Sequence, residues 1–300
     1  MNVSSHSLSR VVFLCLGVAA CGGGQDTGAD ASGAITVANA GFATPESVLH
    51  DESADVYLVS NINGMPLGED DNGFISRVSP EGEVLELKWI DGAAADVTLN
   101  APKGMAIADG TLYVADIDCV RRFDQSSGAP AGEFCVPGAS FLNDVAPAPG
   151  GGVYVTDTGL DASFSPSGTD AVYRIVGDQF ATVVAASGLG APNGIIATDE
   201  GILVVTFMSG EVFRLDADGG RTSLVGGGEG QFDGVGELAD GRVLVSSWGN
   251  SCVYLMDEAG ALECAVAGVE APADIGVDRT RNRVLIPLFN ANEVRIEPMG

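Results

Sequence analysis

Ala191-Pro192-Asn193-Gly194-Ile195 decides the fold, because the same device returns along the chain: a short apolar or proline step, one polar side chain, then a hydrophobic run. It recurs as Pro45-Glu46-Ser47-Val48, Pro102-Lys103-Gly104-Met105, Leu142-Asn143-Asp144-Val145, Phe232-Asp233-Gly234-Val235 and Ala273-Asp274-Ile275. The polar positions 46, 103, 143, 193, 233 and 274 follow one another at steps of 57, 40, 50, 40 and 41 residues. Repeats of that size stack into one object and match the length of propeller blades.

Between these positions lie short Val, Ile, Leu and Tyr runs separated by Asp-Gly and Ala-Gly pairs, and 42 of the 300 residues are glycine. That is the pattern of strands joined by tight turns, and no long 3.6-residue periodicity competes with it. An all-β, six-bladed β-propeller with four-stranded blades and a central metal-binding channel is expected over residues 35–300, about 44 residues per blade. Ile35-Thr36-Val37-Ala38 precedes the first blade and is expected to pair with Glu293-Val294-Arg295-Ile296, completing the last sheet so that the ring has no free edge.

Residues 1–20 read as a targeting segment. Arg10 supplies the positive flank, Val11 to Ala20 an apolar core too short to span a bilayer, and Val18-Ala19-Ala20-Cys21 small residues ahead of a cysteine. This resembles a bacterial lipobox, which implies lipidation of Cys21. Residues 21–34, rich in Gly, Ala and Asp, are expected to be a flexible tether. The expected location is extracytoplasmic, in the periplasm or at the cell surface, with the membrane contacted only through the lipid anchor.

Of the six cysteines, Cys15 leaves with the signal and Cys21 is the lipid site. Cys119 and Cys135 flank one turn and Cys252 and Cys264 another, so two cross-strand disulfides are expected in an oxidising compartment. No CxxC spacing suggests zinc. Once Arg10 is lost, 13 basic residues face 41 acidic ones, a net charge of −28. Such a surface repels phosphate backbones, so nucleic acid is excluded as a partner. A monomer acting on a small molecule is expected.

In a propeller the six polar residues stand where each innermost strand begins, so their side chains converge on one mouth of the channel. Glu46, Asn143, Asn193 and Asp233 offer oxygen donors with a combined charge of −2, the chemistry that a hard divalent cation requires. Uncompensated, the carboxylates repel one another.

Pro45-Glu46, Leu142-Asn143-Asp144, Pro192-Asn193-Gly194 and Asp233-Gly234 resemble the metal-site motifs of the gluconolactonase, regucalcin and senescence-marker-protein family of six-bladed propellers. The likeness runs from about residue 45 to 297, in order. It implies that Glu46, Asn143, Asn193 and Asp233 hold Ca2+, with Mg2+ or Mn2+ as alternatives, and that the protein hydrolyses lactones or related esters, with Asp233 as base and Asp274 in reserve. The chain departs from the family at Phe141, where sugar-lactonase members often carry Arg, which points toward a more hydrophobic ester or lactone. Lys103 is expected either to take over that cationic role or to form a salt bridge with Asp144 or Asp274. Asn61, Asp116, Asp157, Phe207 and Trp248, on loops leaving the second strands, are expected to join Lys103 and Asp144 in contacting substrate, with hydrogen bonding inside their own loops as the competing role of Asp116 and Asp157. His50, the one histidine after the signal segment, is expected at the opposite face, which argues against a histidine-based triad. The alternative function is a non-catalytic propeller that binds a ligand or protein partner around a structural ion.

Overall fold

Val56–Asn61 is buried at all six positions, the pattern of a strand covered on both faces, whereas Pro130–Cys135 and Gln179–Ala185 are almost wholly exposed. Strands of the first kind lie inside a blade and strands of the second kind at its outer edge. The computed structural model describes residues 26–29, 33–216, 218–228 and 230–300; the expected signal peptide and Cys21 lie outside the described residues. Among the described residues every regular element is a strand, and no helix is long and apolar enough to cross a membrane.

Six sheets follow one another around a ring, each a meander whose first strand is innermost. Blades 1 to 5 begin with Pro45–Asp51, Pro102–Ala108, Leu142–Pro147, Pro192–Thr198 and Phe232–Glu237. Blade 6 begins with the short strand Gly276–Asp278 and continues through Arg283–Leu288 and Glu293–Pro298. Its fourth strand is Ile35–Ala38, in antiparallel register with Ile35 opposite Ile296 and Val37 opposite Val294. The ring is thus closed by the segment that the sequence marked for it. Asp26–Ala29, inside the stretch expected to be a tether, pairs with Ile35–Ala38 as a fifth strand, so that expectation does not hold at those four residues.

The core is divided among the gaps between blades. Leu58 and Ile75 of blade 1 meet Leu112 and Phe123 of blade 2, Val145 and Val155 of blade 3 meet Ala115 and Val120 of blade 2, and four further layers complete the circle. Burial of such side chains is worth about 1.5–3 kcal/mol each, so the ring is held mainly by blade-to-blade contact. Both expected disulfides are formed. Cys119 and Cys135 face one another across the two outer strands of blade 2. Cys252 stands opposite Ala267 and Cys264 opposite Tyr254, so the second bridge is diagonal, not directly cross-strand, because a bulge shifts the register at Val253/Tyr254.

One irregularity repeats. In blades 1 to 5 the pairing of the first two strands breaks register at Pro45/Ser47, Pro102/Met105, Leu142/Val145, Pro192/Ile195 and Phe232/Val235. Each break spans the polar residue of the repeat. A bulge re-aims the residue it carries, and here it frees the polar side chain from the alternation that would bury it between blades.

Candidate metal centre

The bulges are pegged by hydroxyl groups from the second strand. Ser60 Oγ accepts the Ser47 amide at 2.9 Å, Thr156 Oγ1 the Asp144 amide at 3.0 Å and Ser246 Oγ the Gly234 amide at 2.7 Å. Thr156 and Ser246 then donate across to the next blade, to Asn193 O and Ala273 O. Glycine after the polar residue lets the inner strands crowd together: a Cβ on Gly104 would lie 2.1 Å from Asp144 Oδ1, and one on Gly234 2.3 Å from Ile275 N.

All six polar residues are buried, from Lys103 at 1% exposure to Asp274 at 6%. Four of them leave an oxygen with no hydrogen-bond donor: Glu46 Oε2, Asn143 Oδ1, Asn193 Oδ1 and Asp233 Oδ1. Buried acceptors are rarely left so. One such atom from each of blades 1, 3, 4 and 5, two of them carboxylate, is a donor set suited to a hard divalent cation. The Asn143 amide is oriented for this by its other end, since Nδ2 donates to Thr158 Oγ1 at 2.9 Å, which in turn donates to Pro192 O.

The electrostatics agree. Burial, and then the charges of Asp233 and Asp274, push the Glu46 carboxyl well above its ordinary range. Burial and Asp274 do the same to Asp233, against the pull of Trp248 and Asn193, and to Asp144, against the amides of Ile195 and Val145. Asp274 is pushed up to about 7 by burial, opposed by the Ser47 hydroxyl bonded to its Oδ2 at 2.5 Å. Burial is the leading cause throughout, and a cation at this point would reverse its effect.

Lys103 does not form the expected salt bridge with Asp144 or Asp274. Nζ donates to Ala101 O at 2.9 Å and lies 4.9 Å from the centre of the Phe141 ring, and the carboxylates it senses are Asp116 and Glu46, not Asp144 or Asp274. Burial lowers its pKa to about 8. Asp144 and Asp274, with Ser47, line a channel cavity of about 450 Å3 that runs to Glu52, Gln125 and Arg279 at the opposite face. Glu46, Asn143, Asn193, Asp233 and Lys103 are not part of that cavity and belong to the mouth.

Asn61, Asp116 and Asp157 are loop anchors, the competing role expected for the two aspartates. Asn61 Oδ1 accepts the Ala43 amide and its Nδ2 donates to Val59 O. Asp116 accepts the amides of Asn100 and Ala101 and the Arg121 guanidinium, and Asp157 the amides of Ser140, Phe141 and Gly159. Each is fully buried and ties its second strand to the loop that delivers the first, a role that competes successfully for every oxygen. The register identifies Thr206, opposite Pro192, as their counterpart in blade 4. Phe207 is therefore one step further on, as are Ile62, Ile117, Thr158, Trp248 and Phe289 in the other blades.

Those six residues form a collar around the mouth that reading the sequence found only in part. Phe207, Trp248 and Phe289 make a continuous aromatic wall, with ring centres 5.6 and 5.1 Å apart. Ile62 and Ile117 pack with Ala101, Leu67 and Phe289. Trp248 Nε1 is buried without a regular hydrogen bond, near enough to the Asp233 carboxylate to favour its charged form.

A closed ring of six meander blades with a buried polar ring at its hub defines a six-bladed β-propeller. Residues 72–275, more than half of the chain, match the family model described as the SMP-30/gluconolactonase/LRE-like region, and the chain belongs to that family. Similar solved structures include a gluconolactonase from Xanthomonas campestris, 17% identical with a TM-score of 0.66 over 91% of this chain and 92% of that one. A calcium-binding protein, regucalcin, from Agrobacterium tumefaciens is 15% identical with a TM-score of 0.64 over 85% and 90%. Virginiamycin B lyase from Staphylococcus aureus is 13% identical with a TM-score of 0.62 over 92% and 94%. At such identities the likeness establishes the fold alone. No curated protein sequence matches the chain.

Proposed function

We infer that the protein is a divalent-cation-dependent hydrolase of lactones or related esters, with Ca2+ the best-suited ion. The observation that carries this reading is the set of four donorless buried oxygens on Glu46, Asn143, Asn193 and Asp233. A cation held by them supplies Lewis-acid polarisation of a substrate carbonyl. Asp233 accepts a proton from the water that attacks the carbonyl carbon; the C–O bond to the alcohol oxygen then breaks, and that oxygen takes the proton back. Asp274, bonded to Ser47 Oγ, is the reserve acceptor. Lys103, with one of its three donors engaged by Ala101 O, has others to offer a substrate oxygen.

One observation favours a second reading. The four oxygens come from four different blades, so an ion there would cross-link the ring whether or not catalysis occurs. Turnover of a panel of lactones and aryl esters, with calcium and with chelator, separates the two. Calcium-dependent hydrolysis that disappears in Asp233→Ala supports the hydrolase; calcium binding with thermal stabilisation but no turnover across the panel supports the structural ion.

A further inference from the structure

We propose that the substrate carries an apolar arm, an aryl group or an alkyl chain of several carbons, seated against Phe207 and Trp248, and that polyhydroxylated lactones are poor substrates. This inference deepens the hydrolase reading and rests on the same mouth. Recognition of a polyol needs unused donors and acceptors around the carbonyl, because each hydroxyl stripped of water without a partner costs affinity. Five of the six collar positions are Ile62, Ile117, Phe207, Trp248 and Phe289. The sixth, Thr158, is 2% exposed, and its hydroxyl already accepts from Asn143 Nδ2 and donates to Pro192 O. Among the collar side chains of the described residues the one other polar atom is Trp248 Nε1, which is buried and directed at the Asp233 carboxylate.

The collar is also lopsided. On the side of blades 1 and 2, Ile62 and Ile117 are sealed by Ala101, Leu67 and Phe289. On the side of blades 4 and 5, Phe207 and Trp248 are only half-buried, and Met208 beside them is 55% exposed. The open aromatic surface lies next to Asp233, the expected base, since Trp248 touches both. Across the mouth, Lys103 Nζ lies over the Phe141 ring while it donates to Ala101 O. An arm entering over blades 4 and 5 would cover aromatic surface that water otherwise wets, while its carbonyl reaches the four oxygens. Rings of this kind give a large apolar contact at low entropic cost.

The test uses the calcium-loaded protein and γ-lactones whose alkyl tails lengthen from γ-butyrolactone to γ-decalactone, with glucono-lactone as the hydroxylated comparison. Each methylene that reaches the wall should raise kcat/KM by about fourfold until the wall is covered. In Phe207→Ser the slope against tail length should flatten, a ratio within one protein that survives any general loss of activity. If nothing is turned over, binding of the same series is followed through Trp248 fluorescence in a Trp89→Phe background. A rising affinity then sustains the apolar subsite while the hydrolase reading fails. A flat slope in both measurements, or a preference for glucono-lactone, overturns the proposal while leaving a metal-dependent hydrolase intact.

Discussion

Two clusters of buried carboxylates join the blades at opposite ends of the channel, and they differ in one respect. At the far face, Asp278 lies where blade 6 meets blade 1. Tyr57 OH donates to it at 2.7 Å and Arg281 Nη1 at 3.0 Å, while Arg281 also grips Asp55 and His50 Nε2 lies 3.3 Å from Asp55. Despite its burial, those donors hold Asp278 below its ordinary pKa, and the Arg281 and His50 bonds lower Asp55 to about 2. At the mouth, Glu46, Asp144, Asp233 and Asp274 are all displaced upward. Buried Asp278 is satisfied by its donors, whereas the buried acids of the mouth stay displaced upward even with Lys103 beside Glu46. An arginine stands among the buried acids at one end and none at the other, which is the charge balance that the proposed cation site calls for.

The largest test of that contrast is calcium affinity by titration calorimetry. Asp233→Ala should weaken binding on the order of 100-fold, since both ligand charge and ligand number fall, whereas Arg281→Ala should leave affinity unchanged. Equal losses in the two variants would erase the distinction between the clusters. Next in size is stability. Calcium at about 100 times its dissociation constant should add about 2.7 kcal/mol. With chelator, the raised carboxyls confer stability that is complete below about pH 4 and lost as pH rises through their folded values, for Asp274 about 7. The melting temperature of the chelated protein should therefore fall between those limits, and calcium should remove the fall; a chelated protein that stabilises toward neutral pH would show that the mouth carboxylates do not control it. The smallest effect belongs to the far face. Arg281→Ala leaves Asp278, itself fully buried, with fewer donors, and should cost about 2 kcal/mol, a drop of about 5 °C in Tm.

Much of this was legible in the sequence because it depends on spacing. The six polar residues, the closing strand at residues 35–38 and both disulfide pairs follow from period and hairpin symmetry. What was not legible depends on register. Asn61, Asp116 and Asp157 sit at the correct distance from the channel residues, yet their oxygens are claimed by backbone amides of the preceding loop, which no spacing reveals. A one-residue offset in blade 4 concealed that Phe207 belongs with Ile62, Ile117 and Trp248 and not with Asp116. The hydroxyl pegs Ser60, Thr156 and Ser246 look in the sequence like ordinary strand residues, and the residues that follow the polar position in the bulges they hold, Ser47, Asp144 and Gly234, share no common type.

Closure of the sixth blade by Ile35–Ala38 has a consequence for how the molecule comes into being. The earliest-made part of the ring must wait beside an unpaired edge until Glu293–Pro298 emerges, more than 250 residues later. Until then five blades can stack, but the circle stays open and its hub has no fixed diameter. The relative positions of Glu46, Asn143, Asn193 and Asp233, drawn from four of those blades, are thereby fixed only once the ring has closed.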